Sequence, residues 1–230
     1  MAKKETIIIS LGGSLIVPDE IDFDFLKKFQ NLILKYLKKD KRFFIISGGG
    51  KTARNYQGAA LKIAKITKED LDWLGIHSTR INAHLLRTIF KNWAYPKIIT
   101  NPQKAKKTIK EKIIIAGGWK PGWSTDFVAV KLAQIYKAKT IINLSNISFV
   151  FDKDPKKYKD AKPFEKIIWS NFRKIVGNKW NPGANLPFDP IASKLAEKLK
   201  LKVIILKGTD FKNLNNFLNK KKFQGTTISF

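Results

Sequence analysis

One stretch of the sequence decides the fold: Gly117-Gly118-Trp119-Lys120-Pro121-Gly122-Trp123-Ser124-Thr125-Asp126. It follows an apolar run, Ile113 to Ala116, and precedes a periodic apolar segment, Phe127 to Ile135. This pattern predicts a strand, a glycine-rich turn and the first turn of a helix. Glycine N–H groups, nearby hydroxyls and the positive end of the helix dipole all favour a bound phosphate. Asp126 could cap the helix or orient nearby lysines and a metal ion.

Two further glycine turns follow strand-like runs. Gly12-Gly13-Ser14 comes after Thr6 to Leu11, and Gly48 to Arg54 comes after Phe43 to Ser47. The carboxyl ends of parallel strands lie at one edge of a sheet, so the three turns can converge on one ligand with several phosphates. None of them has the spacing of the common Gly-x-x-x-x-Gly-Lys or Gly-x-Gly-x-x-Gly nucleotide motifs.

Strand-like and helix-like segments alternate along the chain, which predicts an α/β fold with a mostly parallel sheet covered by helices on both faces. We expect strands at Thr6 to Leu11, Phe43 to Ser47, Lys97 to Thr100, Lys112 to Ala116, Thr140 to Leu144 and Lys202 to Leu206. We expect helices at Phe23 to Lys38, Lys51 to Ala64, Asn82 to Asn92, Asp126 to Tyr136, Asp189 to Leu199 and Asn213 to Asn219. The segment Ser145 to Pro163, rich in Asp, Lys and Pro, is predicted to be a functional loop or a small hairpin.

Composition limits the classes of function. The 230 residues, 43% of them hydrophobic, suffice for one α/β domain or two closely fused lobes. The apolar runs are too short to cross a bilayer and the start of the chain does not resemble a signal peptide, so we expect a cytoplasmic protein. The absence of cysteine excludes disulfides and thiolate chemistry, and two histidines, His77 and His84, make a histidine metal centre improbable. Any metal ion is expected to be Mg²⁺ carried on phosphates.

A formal charge of +27 suggests affinity for polyanions, but the lysines are spread along the whole chain in short groups. A solvated surface explains most of them. Non-specific binding of nucleic acid is the alternative, and it would weaken steeply with salt.

The motifs, in their residues and in their order along the chain, resemble those of the amino acid kinase family, and within it the uridylate kinases of archaeal type. The resemblance covers essentially the whole chain. The motifs that carry the resemblance are Leu11-Gly12-Gly13-Ser14, Gly48 to Arg54, Asp72 to Ala83, Pro121 to Asp126, Asn146 to Pro155, Phe188 to Lys194 and Gly225 to Ile228. The resemblance implies a three-layer sandwich in a single domain, with acceptor binding in residues 1–137 and ATP binding in residues 138–230. It also implies transfer of the ATP γ-phosphoryl group to UMP, with Mg²⁺ brought on ATP rather than bound by protein ligands, in a homohexamer.

Carried over residue by residue, the resemblance assigns three groups of residues. Charge compensation during transfer is implied for Lys51, Arg54, Asp126 and Lys194. ATP binding is implied for Gly12, Gly13, Ser14, Gly50, Arg54, Ser145, Asn146, Phe151 and Asp154. UMP binding is implied for Gly49, Asp72, Trp119, Lys120, Pro121, Gly122, Trp123, Ser124 and Thr125, with Asp72 accepting hydrogen bonds from the ribose and Thr125 near the phosphate.

The chain departs from the family pattern at three places. Ser10 stands where many members have a lysine, although the archaeal branch also lacks it. The usual Asn-Val-Asp-Gly-Val-Tyr is replaced by Asn146-Ile147-Ser148-Phe149-Val150-Phe151. This replacement bears on the affinity for ATP or on the choice of phosphoryl donor. Trp119 and Trp123 replace small or polar residues and could stack on a base, narrow the pocket or pack against a neighbouring subunit.

Two other functions remain open at the level of sequence. One is a kinase of the same fold for another small phosphate such as isopentenyl phosphate, for which we expect a histidine in the acceptor pocket. Residues Gly48 to Arg54 contain none. The other is a non-enzymatic protein that binds RNA or another polyanion on a kinase-like fold.

Overall fold

A central sheet of seven strands organises the chain. The computed structural model describes residues 5–179 and 186–230. Its strands are β1 (Glu5–Leu11), β2 (Lys41–Ser47), β3 (Ile113–Ala116), β4 (Thr140–Ser145), β5 (Val150–Phe151), β6 (Pro163–Phe164), β7 (Lys166–Ile168), β8 (Lys202–Lys207) and β9 (Thr226–Ser229). The strand order is β3-β2-β1-β4-β8-β9-β7, with β5 and β6 in a separate two-stranded sheet. Strands β3, β2, β1, β4 and β8 run parallel to one another, whereas β9 is antiparallel to β8.

Helices cover both faces of the sheet. They are α1 (Gly13–Ile16), α2 (Phe23–Leu37), α3 (Gly50–Ile63), α4 (Lys68–Ile89), α5 (Thr125–Ile135), α6 (Trp169–Val176), α7 (Pro190–Lys198) and α8 (Phe211–Leu218). A 3₁₀ turn occupies Pro102–Lys104. Apolar residues of α5, α6 and α7 form one core with one face of the sheet, and those of α1, α2, α4 and α8 form a second core with the other face. The predicted α/β fold, with a mostly parallel sheet between two helical layers, is confirmed.

The strand sequences explain why the sheet lies in the middle. The β-branched and aromatic runs Ile7–Leu11, Phe43–Ser47 and Ile113–Ala116 are buried on both faces. Continuous apolar runs of this kind are typical of parallel strands covered on both sides. Neighbouring residues of one strand therefore enter opposite cores, as Ile8 and Ile9 do.

Most predicted elements agree with the structure to within one or two residues. The segment Ser145 to Pro163 does contain a small hairpin, since Val150 pairs with Phe164 and Phe151 with Pro163. The strand predicted at Lys97 to Thr100 is wrong. Only an isolated bridge joins Ile99 to Ala116, because Pro96 and Pro102 confine the paired segment to the edge beside β3.

The helix predicted at Asn82 to Asn92 begins much earlier, at Lys68. Thr67 caps it: its hydroxyl accepts from the Asp70 N–H at 3.1 Å, and the Asp70 carboxylate accepts from the Thr67 N–H at 3.1 Å. This reciprocal pair satisfies two of the free N–H groups of the first turn. The longer helix places Asp72 on its first turns rather than in a loop.

Candidate functional site

Loops at the carboxyl ends of adjacent strands meet at one edge of the sheet, as the sequence predicted. The first loop (residues 12–14) follows β1, the second (48–54) follows β2 and the third (117–125) follows β3. The first loop is held to β4 and the second to the end of β1, because the Gly12 N–H donates to Leu144 O at 2.8 Å and the Gly48 N–H donates to Leu11 O at 2.9 Å. This edge is the candidate site.

The first two loops approach so closely that only glycine fits between them. A Cβ added to Gly13 would lie 2.5 Å from the Gly48 carbonyl carbon and 2.6 Å from the Gly49 nitrogen. Gly50 has a φ of +64°, in the left-handed region that favours glycine. Asn82 of α4 fixes the second loop from behind, its side-chain amide donating to Gly48 O at 2.9 Å and to Gly49 O at 3.2 Å. Asn82 was not identified as a site residue from the sequence.

Helix α4 also holds the third loop. The Asp72 carboxylate accepts a hydrogen bond from the Gly122 N–H at 2.7 Å, and the Thr79 hydroxyl accepts one from the Gly118 N–H at 2.6 Å. Arg80 donates to the carbonyls of Gly118 and Trp119, at 3.1 and 2.8 Å. Burial is the main cause that raises the pKa of Asp72, with the Gly122 N–H acting in the opposite direction. Thr79 and Arg80 carried no assignment from the sequence.

The two tryptophans of the third loop pack against the chain's own core. The Trp123 ring lies 4.0 Å from the Phe127 ring, centroid to centroid, and the Trp119 ring lies 5.9 Å from that of Trp123. The Lys120 Nζ lies 4.7 Å from the Trp119 ring centroid, a cation–π distance. Both tryptophans thus pack on Phe127 within the chain itself.

Asp126 lies where the third loop enters α5, and it is not the helix cap. The cap is Ser124, whose hydroxyl accepts from the Phe127 N–H at 3.1 Å. Asp126 instead accepts from the Ser10 hydroxyl at 2.8 Å and from the Asp189 N–H at 3.1 Å. The carboxylate thus joins three distant segments of the chain at the sheet edge.

Burial raises the pKa of Asp126 from its usual 3.8 to about 6. The charge of Asp189 acts in the same direction, whereas the hydrogen bonds from Ser10 and from the Asp189 N–H oppose it. Burial likewise raises the pKa of Asp189. Asp189 caps α7, accepting from the Ala192 N–H at 2.5 Å. Ser10 and Asp189 are site residues for which the sequence alone assigned no role.

The predicted cations do not contact Asp126 in this structure. Lys51 pairs with Asp19 at 3.4 Å, and Arg54 donates to the Ser14 hydroxyl at 3.2 Å. Lys194 is exposed on α7. Within residues 5–179 and 186–230, none of the ion pairs includes Asp126. The expectation that Asp126 orients a lysine therefore remains a prediction for the ligand-bound state.

The residues expected to bind the adenosine half follow β4, beside the first loop. Ser145 O accepts from the Gly208 N–H at 2.7 Å, and the Ser145 hydroxyl accepts from the Ile147 N–H at 3.3 Å. Phe151 lies in the two-stranded sheet and is partly exposed. Asn146 and Asp154 are exposed. The Asp154 carboxylate accepts from the Lys156 N–H at 3.0 Å and so shapes the turn after β5.

Among the described residues, no three His, Cys, Asp or Glu side chains are grouped to hold a metal ion by themselves. The donor set suits a divalent cation carried on phosphates, since Asp126 and Asp189 offer carboxylate oxygens at the site. Asp189 Oδ2 is buried and receives no hydrogen bond of good geometry from the part of the chain that the structure describes. Such an oxygen fits either a proton or an ion that arrives with a ligand.

A cavity of about 630 Å³ lies at the opposite edge of the sheet, beside the first residues of β1, β2, β4 and β8. Its wall includes Lys41, Lys137, Lys139 and Phe217. It contains none of the glycine loops and neither buried carboxylate, so the geometry assigns the chemistry to the other edge. No helix in the described ranges combines the length and the apolar character needed to cross a membrane.

Comparison with known proteins agrees with this architecture. A model of the amino acid kinase family matches residues 5–207. The chain is 37% identical over 229 residues to a uridylate kinase of Thermoplasma volcanium, covering 97% of each protein. It is 35% identical over 224 residues to one of Pyrococcus abyssi, covering 96% of this chain and 98% of the other.

A solved structure of the uridylate kinase from Archaeoglobus fulgidus superposes with a TM-score of 0.82 at 29% identity, over 97% of this chain and 99% of that one. A UMP kinase from Bacillus anthracis has the same fold, with a TM-score of 0.77 at 21% identity. The chain belongs to the amino acid kinase family. The relatives from Thermoplasma volcanium and Pyrococcus abyssi are both uridylate kinases.

Proposed function

We propose that the protein is a uridylate kinase, which transfers the γ-phosphoryl group of ATP to UMP and yields ADP and UDP. One observation carries the proposal: the three glycine loops meet at one sheet edge, with Asp126 between the first and third. The similarity to archaeal uridylate kinases, which extends over nearly the whole of both chains, supports UMP as the acceptor. The glycine loops and helix starts by themselves support a phosphorylated ligand.

In this proposal the third loop binds UMP. Backbone groups of Trp119 to Ser124 read the base, the Thr125 hydroxyl contacts the phosphate and Asp72 contacts the ribose. Asp72 already accepts from the Gly122 N–H at one oxygen, and its second carboxylate oxygen is the one that would meet a ribose hydroxyl. Gly49 and the start of α3 lie between the acceptor and donor phosphates, where N–H groups favour negative charge.

The first loop and the segment after β4 bind ATP. Gly12, Gly13 and Ser14 surround its phosphates, and Ser145, Asn146, Phe151 and Asp154 hold the adenosine half. Mg²⁺ on ATP neutralises phosphate charge when it is bound. The proposed acceptor part is residues 1–137 and the proposed ATP part is residues 138–230, although the first loop lies in the former and both parts contribute to one sheet through the pairing of β1 with β4.

Phosphoryl transfer depends mainly on positioning and on compensation of charge at the moving group. Lys51, Arg54 and Lys194 supply cations in this proposal, and ligand binding would have to draw Lys51 from Asp19. Asp126, in its ionised form, orients the groups around it. The Ser10 hydroxyl donates to the Asp126 carboxylate and fixes its orientation. Many family members have a lysine at the position of Ser10. A cytoplasmic homohexamer and Mg²⁺ carried on ATP complete the proposal.

A coupled assay of ADP release from the purified protein, with Mg²⁺ and with UMP, CMP, AMP or GMP as acceptor, tests the proposal. We expect turnover with UMP above that with the other three nucleotides. Isopentenyl phosphate serves as a fifth acceptor. No UMP-dependent release of ADP, or faster release with isopentenyl phosphate, would refute the assignment of UMP.

RNA binding is measured on the same preparation over a range of salt concentrations. If tight RNA binding at physiological salt accompanied the absence of any thermal shift with ATP or UMP, the protein would be a polyanion-binding protein on a kinase fold.

A further inference from the structure

Three side chains of α4 face the third loop. Asp72 and Thr79 are seven residues apart, which is about two helical turns, and Arg80 is the next residue, about 100° further around the helix. All three contact the loop backbone, through Gly122, Gly118 and Trp119. We call these three side chains the α4 clamp. The clamp holds the loop by its peptide groups, so its contacts do not depend on the loop's side chains.

Arg80 makes the only contacts of the clamp that donate hydrogen bonds to the loop. Its Nε donates to Gly118 O at 3.1 Å and one terminal nitrogen donates to Trp119 O at 2.8 Å, so one planar group holds two consecutive carbonyls. Burial lowers the pKa of Arg80, but a guanidinium keeps its charge in proteins. Hydrogen bonds from a charged donor are the stronger kind.

The position of the loop against α4 leaves little freedom around Gly118. Its N–H donates to Thr79 and its carbonyl accepts from Arg80, so the peptide groups on both sides of this residue are held. A Cβ added to Gly118 would lie 2.9 Å from the Thr79 hydroxyl oxygen. Gly117 and Gly118 are both buried. This part of the loop is therefore fixed by α4 before any ligand arrives.

We propose that Arg80 is a positioning residue for the acceptor: it holds the Gly118 and Trp119 carbonyls so that the third loop is already in its binding conformation. The proposal rests on the function proposed above, in which this loop receives UMP. A preformed loop does not have to be ordered when the acceptor binds, and that raises affinity. Arg80 need not touch the acceptor for this effect.

Two measurements on the Arg80→Ala protein test the proposal. Amide hydrogen exchange in the peptide covering residues 117–125, without ligand, should become faster, because the loop loses the hydrogen bonds to its Gly118 and Trp119 carbonyls and opens more often. The KM for UMP should rise about tenfold, which is what the loss of two charge-assisted hydrogen bonds can bring once the loop relaxes. The KM for ATP should not change.

Further variants separate positioning from charge. Arg80→Gln keeps neutral N–H donors, and Arg80→Lys keeps the charge without the planar fork. If Arg80 acts by positioning, Gln should restore part of the exchange protection and part of the UMP affinity. Arg87→Ala is the matched control, because Arg87 lies two turns further along α4 and makes no hydrogen bond or ion pair to the third loop among the described residues. It should leave exchange in residues 117–125 and the KM for UMP unchanged.

The proposal is overturned by any of three results. In the first, exchange in residues 117–125 is the same in Arg80→Ala and the parent. In the second, exchange becomes faster and the KM for UMP stays the same. In the third, Arg80→Gln has the same exchange rate and KM for UMP as Arg80→Ala, whereas Arg80→Lys has those of the parent. This result would assign Arg80 a direct charge role. If the parent protein does not phosphorylate UMP, the proposed function fails, whereas the exchange experiment still decides whether Arg80 fixes the loop.

Discussion

The replacement Asp126→Asn removes one negative charge from the point where three chain segments meet and keeps the size of the side chain. Asp126 accepts from Ser10 and from the Asp189 N–H, with one carboxylate oxygen for each donor. Asparagine offers one oxygen, which can accept from the Asp189 N–H, and one NH₂ group, from which the Ser10 hydroxyl can accept after it rotates. We expect kcat to fall about a hundredfold, the cost of disturbing one preorganised charge at a reaction centre. Binding of UMP should be nearly unchanged.

The effect on stability has a sign that depends on pH. The pKa of Asp126 is raised from 3.8 to about 6 in the folded protein, so folding opposes ionisation of this carboxyl. The parent therefore loses stability from this group as the pH rises from about 4 to about 6, and above that range the loss amounts to about 3 kcal/mol. Asparagine does not titrate in this range and carries no such loss. The melting temperature of Asp126→Asn relative to the parent should be lowest near pH 4 and should improve toward pH 8.

The assay measures kcat and both KM values from pH 5 to 9, and thermal unfolding is followed from pH 4 to 8 where the protein stays folded. The parent should lose activity below an inflection near pH 6, because the ionised carboxylate is the working form. Asp24→Asn is the matched control, since Asp24 is exposed in the first turn of α2. If Asp126→Asn turned over UMP at the parent rate, Asp126 would be a structural residue and our assignment of the centre would be wrong.

Three further substitutions test separate contacts. Gly13→Ala should abolish ATP-dependent turnover and destabilise the fold by about 1–3 kcal/mol or more, because the new Cβ meets the backbone of the second loop. Gly58→Ala is the control, since a Cβ there meets nothing within 4 Å. In urea unfolding it should be neutral or slightly stabilising. Thr125→Ala should weaken the binding of UMP by about 1–2 kcal/mol and leave the binding of ATP nearly unchanged. If titration calorimetry showed an equal loss of affinity for both nucleotides, the contact to the acceptor phosphate would be contradicted. Ser10→Ala removes a hydrogen bond that lowers the pKa of Asp126, so the inflection of the pH–rate profile should move upward; an unmoved inflection would show that another group titrates.

The sheet and its functional edge could be predicted because the signals for them are local. Runs such as Ile113–Ala116 define strands by composition, and glycine turns define their ends. Parallel pairing then brings the three loops together without further information. The same reasoning failed at Lys97 to Thr100, where apolar composition gave no sign that flanking prolines leave only a bridge.

Contacts between distant segments were beyond the reach of the sequence. Nothing local to Arg80 or Asn82 shows that these side chains bind backbone carbonyls of loops 34 to 39 positions away. The start of α4 was missed although Thr67 and Asp70 form a capping box, because the acidic cap position is an Asp rather than the Glu or Gln of the usual pattern. The sequence also left open whether Asp126 caps α5 or orients other groups, and in the structure Ser124 is the cap.

The contact between Ser10 and Asp126 links the departure from the family pattern to the acid–base behaviour of the site. A lysine at position 10 would place a cation at the carboxylate and lower its pKa, whereas a serine offers only a neutral hydroxyl. Burial then dominates and the pKa rises to about 6. Asp189, also buried, adds a second carboxylate rather than a compensating charge. Among the described residues no ion pair includes either carboxylate. In the proposed function the compensating cations are therefore Lys51, Arg54, Lys194 and the metal ion carried on the nucleotide.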